Sequence, residues 1–380
     1  MASNVVVRRY QESDREAFGR VRSFTYRGGE PVRPDENLFR DDSVGYVAEV
    51  DGNVVAAFTA LRMTCNIDGT HLPCAGVAAV AVNPEFRKGG VGSSLMQEGL
   101  RLMKEDGFVL ASLYPFRETY YRRFGYETCG TRFRLSVPAH RLPATGSELP
   151  VRRIEPEAWD QVRACYERFA VRYNGMNLRT SDMWWRTGGG DTPFAVYAAG
   201  DPVEAYAMLR LVPDFWEAQE IKELVATTPR GYAAILGFLN GLCINKDRAE
   251  WHEAGDSPYL AHYLDQGVRI TNERLVMYRV LDVPKALSAR RPVGSGSFAF
   301  SVEDPILAEN NGVWRAEWVG GAVAVAHGKG PIISLGIRSF NQVLLGQPSY
   351  ADLARHGSVP ENAIAEALFP ARPVYCADFF

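Results

Sequence analysis

Only six of the 380 residues are cysteine and six histidine, and neither type is grouped. Cys65, Cys74, Cys129, Cys165, Cys243 and Cys376 lie far apart, with no C-x-x-C and no Cys/His ligand spacing, so neither a disulfide framework nor a metal site is expected. Dispersed thiols suit a reducing compartment, and the expectation is a cytoplasmic protein. Long apolar runs are lacking too: none approaches the roughly 18 residues of a membrane helix, and MASNVVVRRYQESD has no signal-peptide core. No positive field exists, since 42 Lys and Arg against 45 Asp and Glu leave a net charge of −3, which argues against general nucleic-acid binding. WHE at 251–253 is not H-E-x-x-H, and there is no G-x-S-x-G elbow. What remains is ordinary globular composition, 46% hydrophobic and 23% charged. At roughly 100–200 residues per domain it is enough for two or three domains.

The elements read as α/β. NVVVRRYQESDREAFGRVRS is a strand, a polar cap and a helix, followed by strand-rich sequence with hairpin turns at DGN and IDGT. AGVAAVAV at 75–82 is an unbroken apolar strand. A helix from about Val91 to Glu105 presents Leu95, Met96, Leu100 and Met103 on one face and stops at Gly107. FVLASLYP is a second buried strand, FRETYYRRFGY a short helix ending at glycine, and RFRLSVPAH a strand expected to close this block. HRLPATGSELP at 140–150 reads as a boundary. Residues 151–285 then repeat the order of elements, but ELVATTPRGYAAIL stands where AVAVNPEFRKGGVGSSL stands in the first half, so the second copy has lost its glycine turn. SARRPVGSGS at 288–297 opens a small α+β unit. The expected domains are therefore 1–145, 146–287 and 288–380.

NPEFRKGGVGSSL, at 83–95, leads from the apolar strand into the helix. The first N–H groups of a helix lack internal partners and carry the positive end of the macrodipole, so a glycine turn there cradles an anion. Arg87 and Lys88 add positive charge on the approach. The pattern is neither G-x-x-x-x-G-K-[ST] nor a dinucleotide fingerprint. The plainer reading is a surface turn with incidental glycines. In Y-x-x-F-G-Y, Tyr121 is a candidate weak acid able to protonate a departing thiolate; Tyr120 and Tyr126 fit core aromatics.

V-x-V-x-P-x-x-R-x-x-G-x-G, running strand to helix, resembles motif A of the GCN5-related N-acetyltransferases, which binds the pyrophosphate of acetyl-CoA. The resemblance implies tandem acetyltransferase domains, each a mixed sheet flanked by helices, the second degenerate. It assigns acetyl-CoA binding to Val80, Ala81, Val82, Arg87, Lys88, Gly89, Gly90, Val91, Gly92 and Ser93, with Phe116 and Arg117 flanking the pantetheine or adenine. It also makes Tyr121 the general acid. YYRRFGY, YRVLDVPKAL (278–287) and FSVEDP with NNGVWR (300–315) extend the likeness across the chain to the Eis (enhanced intracellular survival) family, whose third domain is sterol-carrier-like. That family's C-terminal carboxylate serves as general base, here that of Phe380.

The family acetylates aminoglycosides and some lysines and assembles as hexamers. A small-molecule amine, a homo-oligomer and no metal are therefore the expectations. The helix and loop at 20–40 form the natural pocket wall, with Phe24, Tyr26, Glu30 and Asp35 as candidates. The alternatives are a lipid or apolar-ligand carrier on a vestigial acetyltransferase scaffold, and a protein lysine acetyltransferase.

Overall fold

The computed structural model describes residues 4–33, 36–39, 43–146, 148–187, 193–211, 216–273 and 276–379, with the side chains of Trp185 and Arg186 left aside. The chain divides into two compact units, one of residues 1–129 and 276–371 and one of 130–275 and 372–379.

In the first unit β1 (Val5–Arg9), α1 (Arg15–Tyr26), β2 (Val44–Val50), β3 (Asn53–Ile67), β4 (Thr70–Val82), α2 (Val91–Glu105), β5 (Leu110–Leu113), α3 (Glu118–Arg122) and β6 (Glu127–Thr128) follow in chain order. Strands β1 to β4 form an antiparallel meander. Its hairpins turn at Asp51–Gly52 and Asp68–Gly69, all four residues at positive φ, as DGN and IDGT predict. β5 runs parallel to β4, and the strand Met277–Val280 fits antiparallel between β5 and β6. α2 buries Val91, Leu95, Met96, Gly99, Leu100, Leu102 and Met103 against the sheet. Gly99 is required there, because a Cβ would lie 2.6 Å from the Phe58 ring.

Residues 276–371 add a four-stranded sheet, ordered Ala322–His327, Gly312–Val319, Ser295–Glu303, Ile333–Gly336, with helices Ile337–Leu345, Tyr350–Arg355 and Ala363–Leu368. Buried Arg279 ties this part together through two 2.7 Å bonds to Asp304. Asn341 donates to the carbonyls of Gly125 and Tyr278 and accepts from the amide of Val280.

The second unit repeats the meander: Val151–Ile154, helix Trp159–Ala170, Phe194–Ala199, Ala205–Arg210, Gln219–Ala226, helix Pro229–Leu242, Arg248–Ala254 and helix Pro258–His262. One strand departs from expectation. Arg132–Pro138 does not close the first block but pairs with Arg248–Ala254 and Arg269–Asn272 in the second unit's sheet. Met277–Val280, from the far end of the second repeat, takes the corresponding place in the first unit. The two repeats have exchanged a strand, and the compact units divide at 129/130, 275/276 and 371/372.

Candidate functional site

The site of the first unit begins with a parting of strands. β4 and β5 pair only at Cys74–Leu110, Ala75–Ala111 and Gly76–Ser112, after which the β5 side of β4 is open. On its other side β4 slips register against β3, and Ala79 takes φ +53, a conformation rare for a residue with a Cβ. The bulge re-aims the last residues of β4 beside the gap. The Val80 carbonyl accepts a 2.9 Å bond from the Tyr26 hydroxyl, and the Val82 carbonyl accepts a 3.0 Å bond from Arg87 Nε.

The glycine turn follows. One 3₁₀ turn at Pro84–Phe86 leads to Arg87; Lys88 and Gly90 stand at φ +65 and +87, and α2 starts at Val91. No side chain caps the helix. Five successive amides, Lys88 to Gly92, make no hydrogen bond of ordinary geometry among the described residues. Helix-start amides left unpaired, with two exposed cations beside them, could hold an anion. Gly92 keeps it open, since a Cβ would lie 3.0 Å from the Tyr120 hydroxyl and 3.3 Å from Val82 Cγ2. The donor set suits a diphosphate, and the open edge of β4 suits an amide-bearing arm leading away from it.

α3 carries the phenols. Tyr121 is 3% exposed, with its ring 5.1 Å from Tyr120, 5.5 Å from Phe116 and 6.1 Å from Tyr126. Burial, then the neighbouring phenols of Tyr26 and Tyr120, push its hydroxyl well above the ordinary value, so it stays protonated at neutral pH. Tyr126 is fully buried in the core. Phe116 remains exposed, and Arg117 is the extended residue before α3.

The pocket-wall candidates separate. Tyr26 reaches β4, whereas Phe24 lines a cleft of about 710 Å³ with Ser13, Glu16, Arg20 and Val32. Glu30 is exposed, and its backbone carbonyl accepts from the Ser23 hydroxyl. Phe380 and Asp35 lie outside the described residues. Among the described residues no group of three or more His, Cys, Asp or Glu could hold a metal, and no helix is long and apolar enough to cross a membrane.

The corresponding turn of the second unit is built differently. Its strands Gln219–Ala226 and Arg248–Ala254 also part after two pairs, Gln219–Ala249 and Glu220–Glu250. The following helix is instead capped by Thr228, whose Oγ1 accepts from the Gly231 amide at 3.1 Å and donates to Glu204 at 2.6 Å. Arg230 Nε also binds Glu204, at 2.8 Å, and the two partners hold that carboxyl below its ordinary range. Pro229 offers no N–H at all. A side-chain cap thus takes up a helix-start amide here, and Glu204, 24 residues upstream of its Thr228 partner, brings an internal carboxylate beside it.

Residues 6–129 and 175–280 each match an acetyltransferase (GNAT) domain, and residues 283–377 match a sterol carrier protein domain. An uncharacterized N-acetyltransferase of Streptomyces avermitilis is 28% identical over 330 residues, 79% of each chain. N-acetyltransferase Eis of Mycobacterium bovis is 27% identical over 283 residues, 69% of each. A GCN5-related N-acetyltransferase from Anabaena variabilis has the same fold, with TM-score 0.87 at 19% identity over 99% of this chain and 100% of that one.

Proposed function

We propose that this chain, an N-acetyltransferase by its two GNAT domains and similar to N-acetyltransferase Eis, is a member of the Eis family that acetylates a primary amine of a small polyamine, of the aminoglycoside kind, using acetyl-CoA. The observation that carries this is the run of five unpartnered amides from Lys88 to Gly92 beside the open edge of β4. When bound, acetyl-CoA supplies the activated acetyl group. The amides from Lys88 to Gly92, with Arg87, Lys88 and Ser93, hold the diphosphate. Val80, Ala81 and Val82 pair with the pantetheine, and a β4 amide near Val82 polarises the thioester carbonyl. Phe116 and Arg117 border the carrier. Positioning of the two reactants supplies a large part of the rate.

Tyr121 donates its proton to the departing sulfur, a role supported by a hydroxyl that burial keeps protonated. The C-terminal carboxylate of Phe380 takes the proton of the attacking ammonium through water, a role that rests on the Eis resemblance. Of Phe24, Tyr26 and Glu30 as walls of the amine pocket, Tyr26 has the most support, through its bond to the Val80 carbonyl. Hexameric assembly and cytoplasmic residence belong to the same proposal.

A free-thiol release assay with acetyl-CoA and an aminoglycoside, run beside a lysine peptide, tests the reading. Turnover of the small amine is expected, together with thermal stabilisation by acetyl-CoA. Stabilisation by an apolar ligand and none by acetyl-CoA would establish the carrier alternative, and turnover of the peptide alone the lysine one. Lengthening the chain beyond Phe380 is expected to abolish turnover while the melting temperature holds.

A further inference from the structure

We propose that the second unit has a ligand site of its own, a small cavity with aromatic walls and a buried carboxyl, which takes a primary ammonium carried on a compact apolar body. The cavity, of about 280 Å³, lies where the strands Gln219–Ala226 and Arg248–Ala254 part after their two pairs. Leu224 and Ala226 line it from one strand and Glu253 from the other. Every residue lining it belongs to the second unit.

Glu253 is the polar centre. It is 8% exposed, and its Oε1 accepts from the Tyr232 hydroxyl at 2.5 Å and from Trp251 Nε1 at 2.7 Å, with Ser257 a further neutral donor. Among the described residues no Lys, Arg or His pairs with it. Neutral donors solvate a carboxylate without cancelling its charge, and a buried charge without a counter-ion is costly. The other charged groups around the cavity do not supply one. Asp256, at the exposed rim, adds a second negative charge. Arg172 is exposed and donates to the Ala226 carbonyl at 3.4 Å, His252 is bonded to Glu273 at 2.7 Å, and His262 is exposed. A bound ammonium brings both the opposite charge and N–H donors to this carboxylate.

Phe169, Tyr173, Tyr232 and Tyr375 supply the walls. The rings of Phe169 and Tyr173 lie 5.0 Å apart at 45°, and those of Tyr173 and Tyr375 5.8 Å apart at 62°, so they form a bent surface and not a flat stack. Aromatic rings beside a carboxylate suit an organic ammonium, because the rings cover its body and both attract its charge. An anion would be repelled by Glu253 and Asp256, and a neutral apolar molecule would leave the carboxylate without a counter-ion. The volume equals about nine waters at roughly 30 Å³ each, which matches an amine of about that many heavy atoms.

The test is calorimetric titration of the full chain with phenethylamine, beside its neutral and anionic counterparts phenethyl alcohol and phenylacetate. The amine is expected to bind at least about tenfold more tightly than either. Glu253→Gln keeps the shape and loses the charge; it is expected to weaken the amine about tenfold or more and to leave the Kd for acetyl-CoA within about twofold. Burial lifts the Glu253 carboxyl to about 6, and the ammonium needs it ionised. Amine affinity of the parent is therefore expected to fall about tenfold from about pH 7.5 to about pH 5, and that of Glu253→Gln to stay level. No binding of the amine at about 10 mM, or equal binding of the alcohol, overturns the inference. So does an unchanged amine affinity in Glu253→Gln, which would place the amine elsewhere, as at the transfer site. If Glu253→Gln does not fold, Ala261→Trp, on the exposed rim, narrows the cavity and leaves the carboxyl in place. Amine affinity is then expected to drop about tenfold, and an unchanged value overturns the inference.

Discussion

Gly90→Ala against Gly89→Ala isolates what the glycine turn does. At Gly90 nothing lies within 4 Å of an added Cβ, so no clash occurs, but φ is +87. At Gly89 the φ is not positive, and the added Cβ would meet only the Phe86 carbonyl at 3.6 Å, an ordinary contact. The two substitutions add the same methyl to neighbouring residues and differ in backbone conformation alone. Holding a residue with a Cβ in the left-handed region costs roughly 1–2 kcal/mol. If the free turn relaxes to avoid that cost, the amides lose their common aim, and regaining it upon binding weakens acetyl-CoA by about 5- to 30-fold. If the turn cannot relax, the same energy appears as lost stability. Isothermal titration with acetyl-CoA, alongside melting curves of the free proteins, measures both parts. Gly90→Ala is expected to show the full cost and Gly89→Ala a few tenths of it. Equal effects at the two positions, or none at Gly90, would refute the reasoning that a preformed left-handed turn aims the amides.

Tyr121→Phe is expected to lower kcat about 100-fold or more while the Kd for acetyl-CoA stays within about threefold, because the hydroxyl acts on the leaving group and not on the carrier. Calorimetric titration is expected to give one acetyl-CoA per chain, since the Thr228 cap, held by Glu204, takes up the second unit's helix start; a second equivalent would show that this cap can be displaced. Glu253 supplies a pH prediction. Burial raises its carboxyl from 4.5 to about 6, against bonds donated by Tyr232 at 2.5 Å and Trp251 at 2.7 Å. The folded chain thus holds this proton more tightly than the unfolded chain does. Stability falls as pH rises between the two values, and above them the whole cost, about 2 kcal/mol, is present. Glu253→Gln is expected to raise the second unit's melting temperature by about 4–8 °C near pH 8 and not near pH 4; parallel pH curves for the two proteins would count against it.

Much of the first unit was legible because its signals are local. DGN and IDGT specify turns through residues that tolerate positive φ, and both hairpins form there. The spacing of Leu95, Met96, Leu100 and Met103 marks one helical face, and α2 occupies Val91–Glu105 as expected. The glycine turn reads directly, since the amide run follows from a helix that starts in glycine without a capping side chain. Lys88 at positive φ and the bulge at Ala79 carried no such sign, because neither residue type favours the conformation it takes.

The alternation in RFRLSVPAH establishes a strand but not its neighbours. Backbone pairing is indifferent to side-chain identity, so only the packed fold reveals that Arg132–Pro138 and Met277–Val280 have changed places. Charge partners lie further still beyond reach. Arg179 and Asp378 are 199 residues apart, and each is an ordinary polar residue in its local sequence. What the sequence alone determined is whatever rests on residues within a few positions of one another: turns, helix faces and the glycine turn that opens α2 without a capping side chain. What the tertiary structure decided is which distant groups neutralise one another away from water, since desolvation makes a partner obligatory without specifying where along the chain it comes from.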